Sequence, residues 1–304
     1  MKCRGFKTIK YGVRRIHCNA CGYTWRPIKK HHKKDFRRLR AYLLDGSTLR
    51  RLGERWSVSG STAYRRIQRS LHQSIAVDAV VVLKPFKYAN ILLLDAKHFV
   101  IRKKVHTLYV SLDAHTGLPV AWVFKPGSES RDGYDELLGL MRQRKVNVLA
   151  VVSDNDQSIR CAVNDWYPDA VQQKCAFHVL KKAFLKLNGR RLIHTIYGKK
   201  IWHIVRHIAL EYDEQRKARG YLLKIQKKYP LHEKVWDVLA RNLHTIYQFE
   251  SRRDLPIPRT SNQIENFMGV IEQRVKTFRS AKNPNSLIKI LSAFIKIKYK
   301  SPTN

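Results

Sequence analysis

Two apolar runs, each stopping at an aspartate, constrain this chain more than any other feature. Residues 90–101 form a strongly β-prone segment whose apolar stretch ends at Asp95, and residues 146–153 read as a fully apolar strand that gives way to Asp154 in the sequence VVSDND. In open α/β sheets polar sites gather at strand ends, so neighbouring strands would bring the two carboxylates together. Paired carboxylates repel and persist ionised only with a cation between them. Mg²⁺, which takes one or two carboxylates plus phosphate oxygens, suits that role. Taken singly, each aspartate also fits a turn or cap after a strand.

The surrounding pattern supplies the rest of such a sheet. Strands are expected at 106–113 and 118–125, joined by the DAHTG turn, then a helix at 133–143, the buried strand, a helix at 157–166 and a strand at 170–175. The resulting expectation is an α/β fold in which a mixed sheet is covered by helices on both faces, the order of a ribonuclease H-like domain. Residues 181–255 then read as a helical insertion, dense in Lys, Arg, His and Tyr. After the breaker segment 255–258, Thr260 and Gln263 suggest a capping box opening a long last helix. Ile264, Phe267, Met268, Ile271, Val275 and Phe278 make its apolar stripe, and Glu265 borders that stripe.

The amino-terminal third is organised differently. Residues 1–30 carry Cys18-x-x-Cys21 followed by Gly22 and Trp25, the look of one knuckle of a zinc ribbon. The first knuckle offers Cys3 without a partner inside the sequence, leaving His17, His31 or His32 as substitutes; the alternative is that these cysteines are incidental to a basic arm. Residues 34–74 predict three short helices. Leu39, Tyr42 and Leu43 face inward on the first, Ser47 or Thr48 caps the second, and Ser59 caps a third with Ala63, Tyr64 and Ile67 inward. This is the pattern of a helix-turn-helix, and Ser61, Thr62, Arg65, Arg66 and Arg69 would then lie on the exposed side of its last helix, within reach of bases and phosphates. Residues 75–87 read as a linker to a domain spanning 88–300.

Sixty Lys and Arg against 23 Asp and Glu give a net charge of +37, which points to a polyanionic partner. A hydrophobic share of 44% excludes a disordered basic tail as the reading of the whole chain. The longest apolar runs are too short to span a bilayer and the first ten residues lack a secretory core, so no membrane partner is expected and a cytoplasmic, nucleoid-associated location is.

In this order, CNACGYTW, LRRLGERWSVSGSTAYRRI, LLLDAKHF, VVSDNDQSI, KCAFHVLKK and TSNQIENFMGVIEQRVK resemble bacterial insertion-sequence transposases of the Mutator-like class, in the variant with an amino-terminal zinc ribbon and helix-turn-helix. The resemblance runs over nearly the full length. It implies an Asp-Asp-Glu triad of Asp95, Asp154 and Glu265 binding Mg²⁺ or Mn²⁺, with Zn²⁺ on Cys3, Cys18 and Cys21. It further implies double-stranded DNA as partner, as transposon ends and as target, and a homo-oligomer that brings two ends together. Cys175 and His178 match a Cys-x-x-His motif of that class, which puts His178 either in direct catalytic contact or in the neighbourhood of the triad as a satisfied histidine. Asn155, where a small residue is usual, and Asp156, a rival second acid, depart from the pattern. A catalytically inert DNA-binding regulator or decayed copy, and a structure-specific nuclease, are the competing readings.

Overall fold

The computed structural model describes residues 8–11, 15–18, 24–25, 32–45, 47–74, 90–277 and 283–299. Three short strands, β1 (Thr8–Tyr11), β2 (Arg15–Cys18) and β3 (Thr24–Trp25), pair antiparallel in that order. Of the expected zinc ligands, Cys18 ends β2, and Cys3 and Cys21 lie outside the described residues, as does the linker 75–87.

Three helices follow: α1 (His32–Leu43), α2 (Leu49–Arg55) and α3 (Gly60–Ser74). Their starts are local chemistry. Thr48 Oγ1 accepts the Arg51 N–H at 3.2 Å, and Ser59 Oγ accepts the Thr62 N–H at 3.2 Å, each satisfying a donor that a helix terminus leaves free. Leu39, Leu43, Leu52, Ala63, Ile67 and Leu71 are buried between them. Tyr64 departs from expectation: it is 38% exposed, and Ser70 completes the inner face instead. That face is centred between Ile67 and Ser70, which leaves Tyr64 on its flank. The turn into α3 depends on Gly53, where a Cβ would stand 2.6 Å from the Val58 carbonyl oxygen.

The main sheet has the order β6-β5-β4-β7-β8. Strands β4 (Ile91–Ile101), β5 (Lys104–Asp113) and β6 (Pro119–Pro126) form an antiparallel meander, whereas β7 (Ala150–Ser153) and β8 (Val171–Lys174) join β4 in parallel. Strand β7 begins four residues later than its apolar run, because the Val146 N–H closes the preceding helix onto the Met141 carbonyl and only Ala150 enters the ladder. Helices α4 (Arg131–Gln143) and α5 (Gln157–Trp166) cover one face through Leu92, Leu94, Leu137, Ile159 and Val163. The opposite face receives α11 (Asn262–Thr277) and α12 (Pro284–Tyr299), whose Ile264, Phe267, Ile271, Leu287 and Phe294 join one apolar cluster with Leu93, Val110 and the three-helix unit.

Between the two halves stand α6 (Ala176–Lys186), α7 (Gly189–Leu192), α8 (Ile196–Leu210), α9 (Gln215–Lys228) and α10 (Glu233–Ile246), followed by a 3-10 turn, Gln248–Arg252. This helical block has its own core of Ile201, Val205, Leu222, Trp236 and Leu239. Buried Gln173 of β8 rivets it to the sheet, donating to the Ile246 carbonyl at 2.7 Å and accepting the Phe249 N–H at 3.0 Å. Among the described residues no helix is long and apolar enough to cross a membrane.

Gly53→Ala is expected to destabilise the three-helix unit by about 1–3 kcal/mol, because the added methyl meets backbone rather than a movable side chain. Thermal unfolding of the variant beside Gly60→Ala, where a Cβ finds 3.8 Å of clearance, checks it.

Candidate active site

The parallel ladder sets Leu92 opposite Val151 and Leu93 opposite Val152. Two residues further along each chain stand Asp95 and Asp154, both half-buried; β7 has ended at Ser153, whereas β4 runs on past Asp95 to Ile101 in pairing with β5, so Asp95 stands mid-strand and not at the strand end that the sequence suggested. The turn after β7 fixes Asp154: its Oδ1 accepts the Asp156 N–H at 3.0 Å, and the Asn155 N–H donates to Ser153 Oγ at 3.0 Å. Asn155 has φ 58°, a left-handed conformation that asparagine tolerates better than most side chains, which accounts for its presence there. Asp156 is exposed and serves as the N-cap of α5, accepting the Ser158 N–H at 2.9 Å.

Burial pushes the Asp95 carboxyl up to about 6, with Asp154 and Glu129 adding to the rise and the Ala96 N–H and His178 opposing it. Glu129 carried no signal in the sequence. It sits in the loop between β6 and α4, where its Oε1 accepts the hydroxyl of buried Tyr134 at 2.6 Å. The Tyr109 hydroxyl holds the same loop by accepting the Ser130 N–H at 2.9 Å. Among the described residues no lysine or arginine forms an ion pair with Asp95, Asp154 or Glu129.

Glu265 reaches this region on α11. Lys97, two residues beyond Asp95, bonds Glu272 at 2.8 Å, and Glu272 lies about two helical turns from Glu265, so strand and helix are tied in a fixed register. The helix opens differently from the expected capping box. The Ile264 and Glu265 amides both bond the Ser261 carbonyl, making Ser261 the first acceptor, with Thr260 outside the helix. The Ser261 hydroxyl is spent elsewhere: it lies 3.1 Å from Cys175 Sγ, and the Ser261 N–H donates to the same sulfur at 3.3 Å.

Cys175 and His178 come from the joint between β8 and α6. The Cys175 N–H donates to the Ser153 carbonyl at 2.6 Å, so the sulfur is anchored one residue from Asp154. The Ala176 N–H donates to the Arg259 carbonyl at 2.8 Å, which binds the start of α6 to the segment leading into α11. Cys175 is buried; burial alone would raise its thiol, but bonds from His178 and Ser261 bring it below the ordinary value. His178 is raised, first by the Cys175 sulfur beside it and further by Glu265 and Asp154. His178 Nδ1 faces Glu265 Oε1 at 3.9 Å, and both atoms are buried without a hydrogen-bond partner.

Arg259 was also silent in the sequence. Its guanidinium stacks over Phe249 at 4.4 Å and donates to the Leu210 and Tyr212 carbonyls, which fastens the approach to α11 onto the helical block. The helix-turn-helix candidates lie apart from the acid site, on α3: Ser61, Arg65 and Arg69 are exposed, Thr62 and Arg66 half-buried.

Asp95 fixes a pH-dependent cost. A carboxyl raised above its unfolded value of 3.8 adds no penalty while protonated, and the penalty grows as pH rises through about 6. Asp95→Asn should therefore stabilise the metal-free protein at pH 8 by on the order of 1–3 kcal/mol and leave it unchanged near pH 4. Chemical denaturation at the two pH values in the presence of a chelator measures the difference.

A comparison with curated proteins gives no match. Among solved structures, a chain of the cryo-EM structure of the simian T-cell lymphotropic virus intasome in complex with the PP2A regulatory subunit B56 gamma aligns at 10% identity and a TM-score of 0.24, over 58% of this chain and 69% of that one. The family described as "Transposase, Mutator family" matches residues 88–300, from the approach to β4 to the end of α12. The chain therefore belongs to the Mutator family of transposases.

Proposed function

We propose that this protein is a DNA transposase of a bacterial insertion sequence, cutting the ends of its element and joining them to target DNA through a ribonuclease H-like domain with an Asp95, Asp154 and Glu265 triad. The observation that carries this reading is the placement of Asp95 and Asp154 side by side on neighbouring parallel strands, in a chain of this family, with Glu265 on the helix that the Lys97–Glu272 pair joins to β4. The order β6-β5-β4-β7-β8, three antiparallel strands followed by two parallel ones, supports the domain assignment.

The donor set fits a hard divalent cation. Asp95 is held against its own ionisation by burial and by two neighbouring carboxylates, and a cation among these oxygens would relieve all three. Bound there, Mg²⁺ or Mn²⁺ would supply the Lewis acidity that activates the attacking oxygen and stabilises the leaving oxygen of a phosphodiester. The chain's own part is positional. The β7 turn aims Asp154, the strand pairing aims Asp95, and the Lys97–Glu272 bridge sets the height of Glu265. Asp156, committed to capping α5, is not the second acid in this reading. His178 faces Glu265 and is close enough to Asp95 and Asp154 to interact with their charge, without being required to accept a proton from substrate.

DNA binding is assigned to two features. The first is α3 as the recognition helix of a helix-turn-helix, with Ser61, Thr62, Arg65, Arg66 and Arg69 facing the duplex; the second is the overall charge of +37, which supplies sequence-independent phosphate affinity. A zinc ribbon over residues 1–30 and assembly of two or more copies on paired ends complete the proposal.

On DNA carrying the element's ends, Asp95→Asn, Asp154→Asn and Glu265→Gln should each abolish Mg²⁺-dependent cleavage while leaving end binding within about twofold, and Asp156→Asn should retain cleavage. Loss in Asp156→Asn with retention in Asp154→Asn would overturn the assignment of the second acid. Arg65→Ala and Arg69→Ala should each weaken binding to the ends and lower the slope of log affinity against log salt by about one if the lost contact is to phosphate. Titrations at several salt concentrations read both effects.

A further inference from the structure

We propose that Cys175, His178 and Glu265 form a binding site for a zinc-class transition metal, and that occupation of this site holds Glu265 away from the aspartates. The second half of this statement rests on the transposase reading; the first half does not.

The donor chemistry selects the ion. A thiol, an imidazole and a carboxylate together are a set for Zn²⁺ or Co²⁺, whereas Mg²⁺ takes oxygen alone. From the sequence, Cys175 and His178 offered only two ligands at the start of one helix, too few for a site. The fold adds the third from α11. One ligand atom from each of the three residues lies within 4.8 Å of the others, and the His178 and Glu265 atoms already stand 3.9 Å apart. Tetrahedral zinc, with bonds of about 2.0–2.3 Å, needs donor separations of about 3.3–3.8 Å, so a small closure brings the three into range.

Three further observations point to a ligand here. His178 Nδ1 and Glu265 Oε1 are buried and unpartnered, which costs free energy that a shared cation would recover. The sulfur sits at the N-cap of the 11-residue helix α6 and receives the Ser261 amide and hydroxyl, an outer shell suited to a thiolate. Access is open on one side: Cys175 forms the buried floor, while the His178 and Glu265 side chains are 28% and 31% exposed. Three protein ligands leave a fourth position for water or a DNA oxygen.

The competition follows from Glu265 serving two sites. A carboxylate bound beside a thiolate-held ion is withdrawn from the acid cluster, so zinc would act as a brake on Mg²⁺-supported cleavage.

The test uses Co²⁺ as a spectroscopic probe on the full chain, comparing wild type with Cys175→Ser, Glu265→Gln and Ser261→Ala, with folding checked by circular dichroism. Because cysteines of the amino-terminal segment can bind Co²⁺ as well, the quantity read is the difference between variants. Cys175→Ser should lose one equivalent of Co²⁺ together with its share of the thiolate charge-transfer absorption. Ser261→Ala should weaken that equivalent about 10- to 100-fold, and Glu265→Gln by at least as much. Identical stoichiometry and absorption across the set would overturn the site. Should Cys175→Ser fail to fold, Glu265→Gln and Ser261→Ala carry the comparison. The brake is read separately: Zn²⁺ at a small fraction of the Mg²⁺ concentration should inhibit wild-type cleavage, with a higher concentration needed for Ser261→Ala. Equal inhibition of both would overturn the competition. A wild type that binds Co²⁺ at Cys175 but never cleaves would instead overturn the transposase reading.

Discussion

The parallel pairing of β4 with β7 is the constraint on which the acid site depends. It aligns two chains that end their apolar runs at nearly the same level, so Asp95 and Asp154 stand side by side where β7 stops and β4 runs on. An acid that follows a buried apolar run has little solvent, and a second one beside it has less choice of direction. The raised Asp95 carboxyl is the electrostatic signature of that crowding. The interior of the sheet makes the arrangement rigid: Leu92, Leu93, Leu94, Val151 and Val152 are buried on opposite faces against separate helical layers, and none can shift without opening a core.

Everything that reaches this edge from elsewhere is tied to it by polar contacts at chain junctions. The Cys175 amide bonds the Ser153 carbonyl, the Ala176 amide bonds the Arg259 carbonyl, and Ser261 closes the loop by bonding the Cys175 sulfur. Three segments distant in sequence thereby meet within a few residues of Asp154. The helical block is attached to the same knot through Gln173 and Arg259, so its apolar core and the sheet's separate core are joined at one seam. A long insertion is tolerated there because its two ends leave and return at adjacent points, which keeps the loop-closure cost small.

Much of this was legible in the residues. The succession of strands and helices, the helices on both faces, the caps at Thr48 and Ser59 and the apolar stripe of α11 all follow from local periodicity and side-chain chemistry. The misreadings have two causes. Tyr64 lies on the flank of the inner face, and β7 begins late because the Val146 N–H closes the end of α4 onto the Met141 carbonyl; both are local geometry. At Ser261 a tertiary contact intervenes: its hydroxyl and amide meet the Cys175 sulfur, and α11 opens there with Thr260 outside it.

The sequence by itself determined the element order, the positions of Asp95 and Asp154 just after apolar runs, and the excess of positive charge, because these depend on spacing and composition. Only the tertiary structure decided that Glu129 joins the acid cluster and that Glu265 faces His178 and Cys175. Those relations link residues far apart in the chain through loops and helix packing, and no periodicity along one segment encodes the distance between atoms on another. The neighbourhood of Cys175, His178 and Glu265 is the clearest case: two residues of one helix became a three-ligand cluster because the sheet, the insertion and α11 converge on the same strand end.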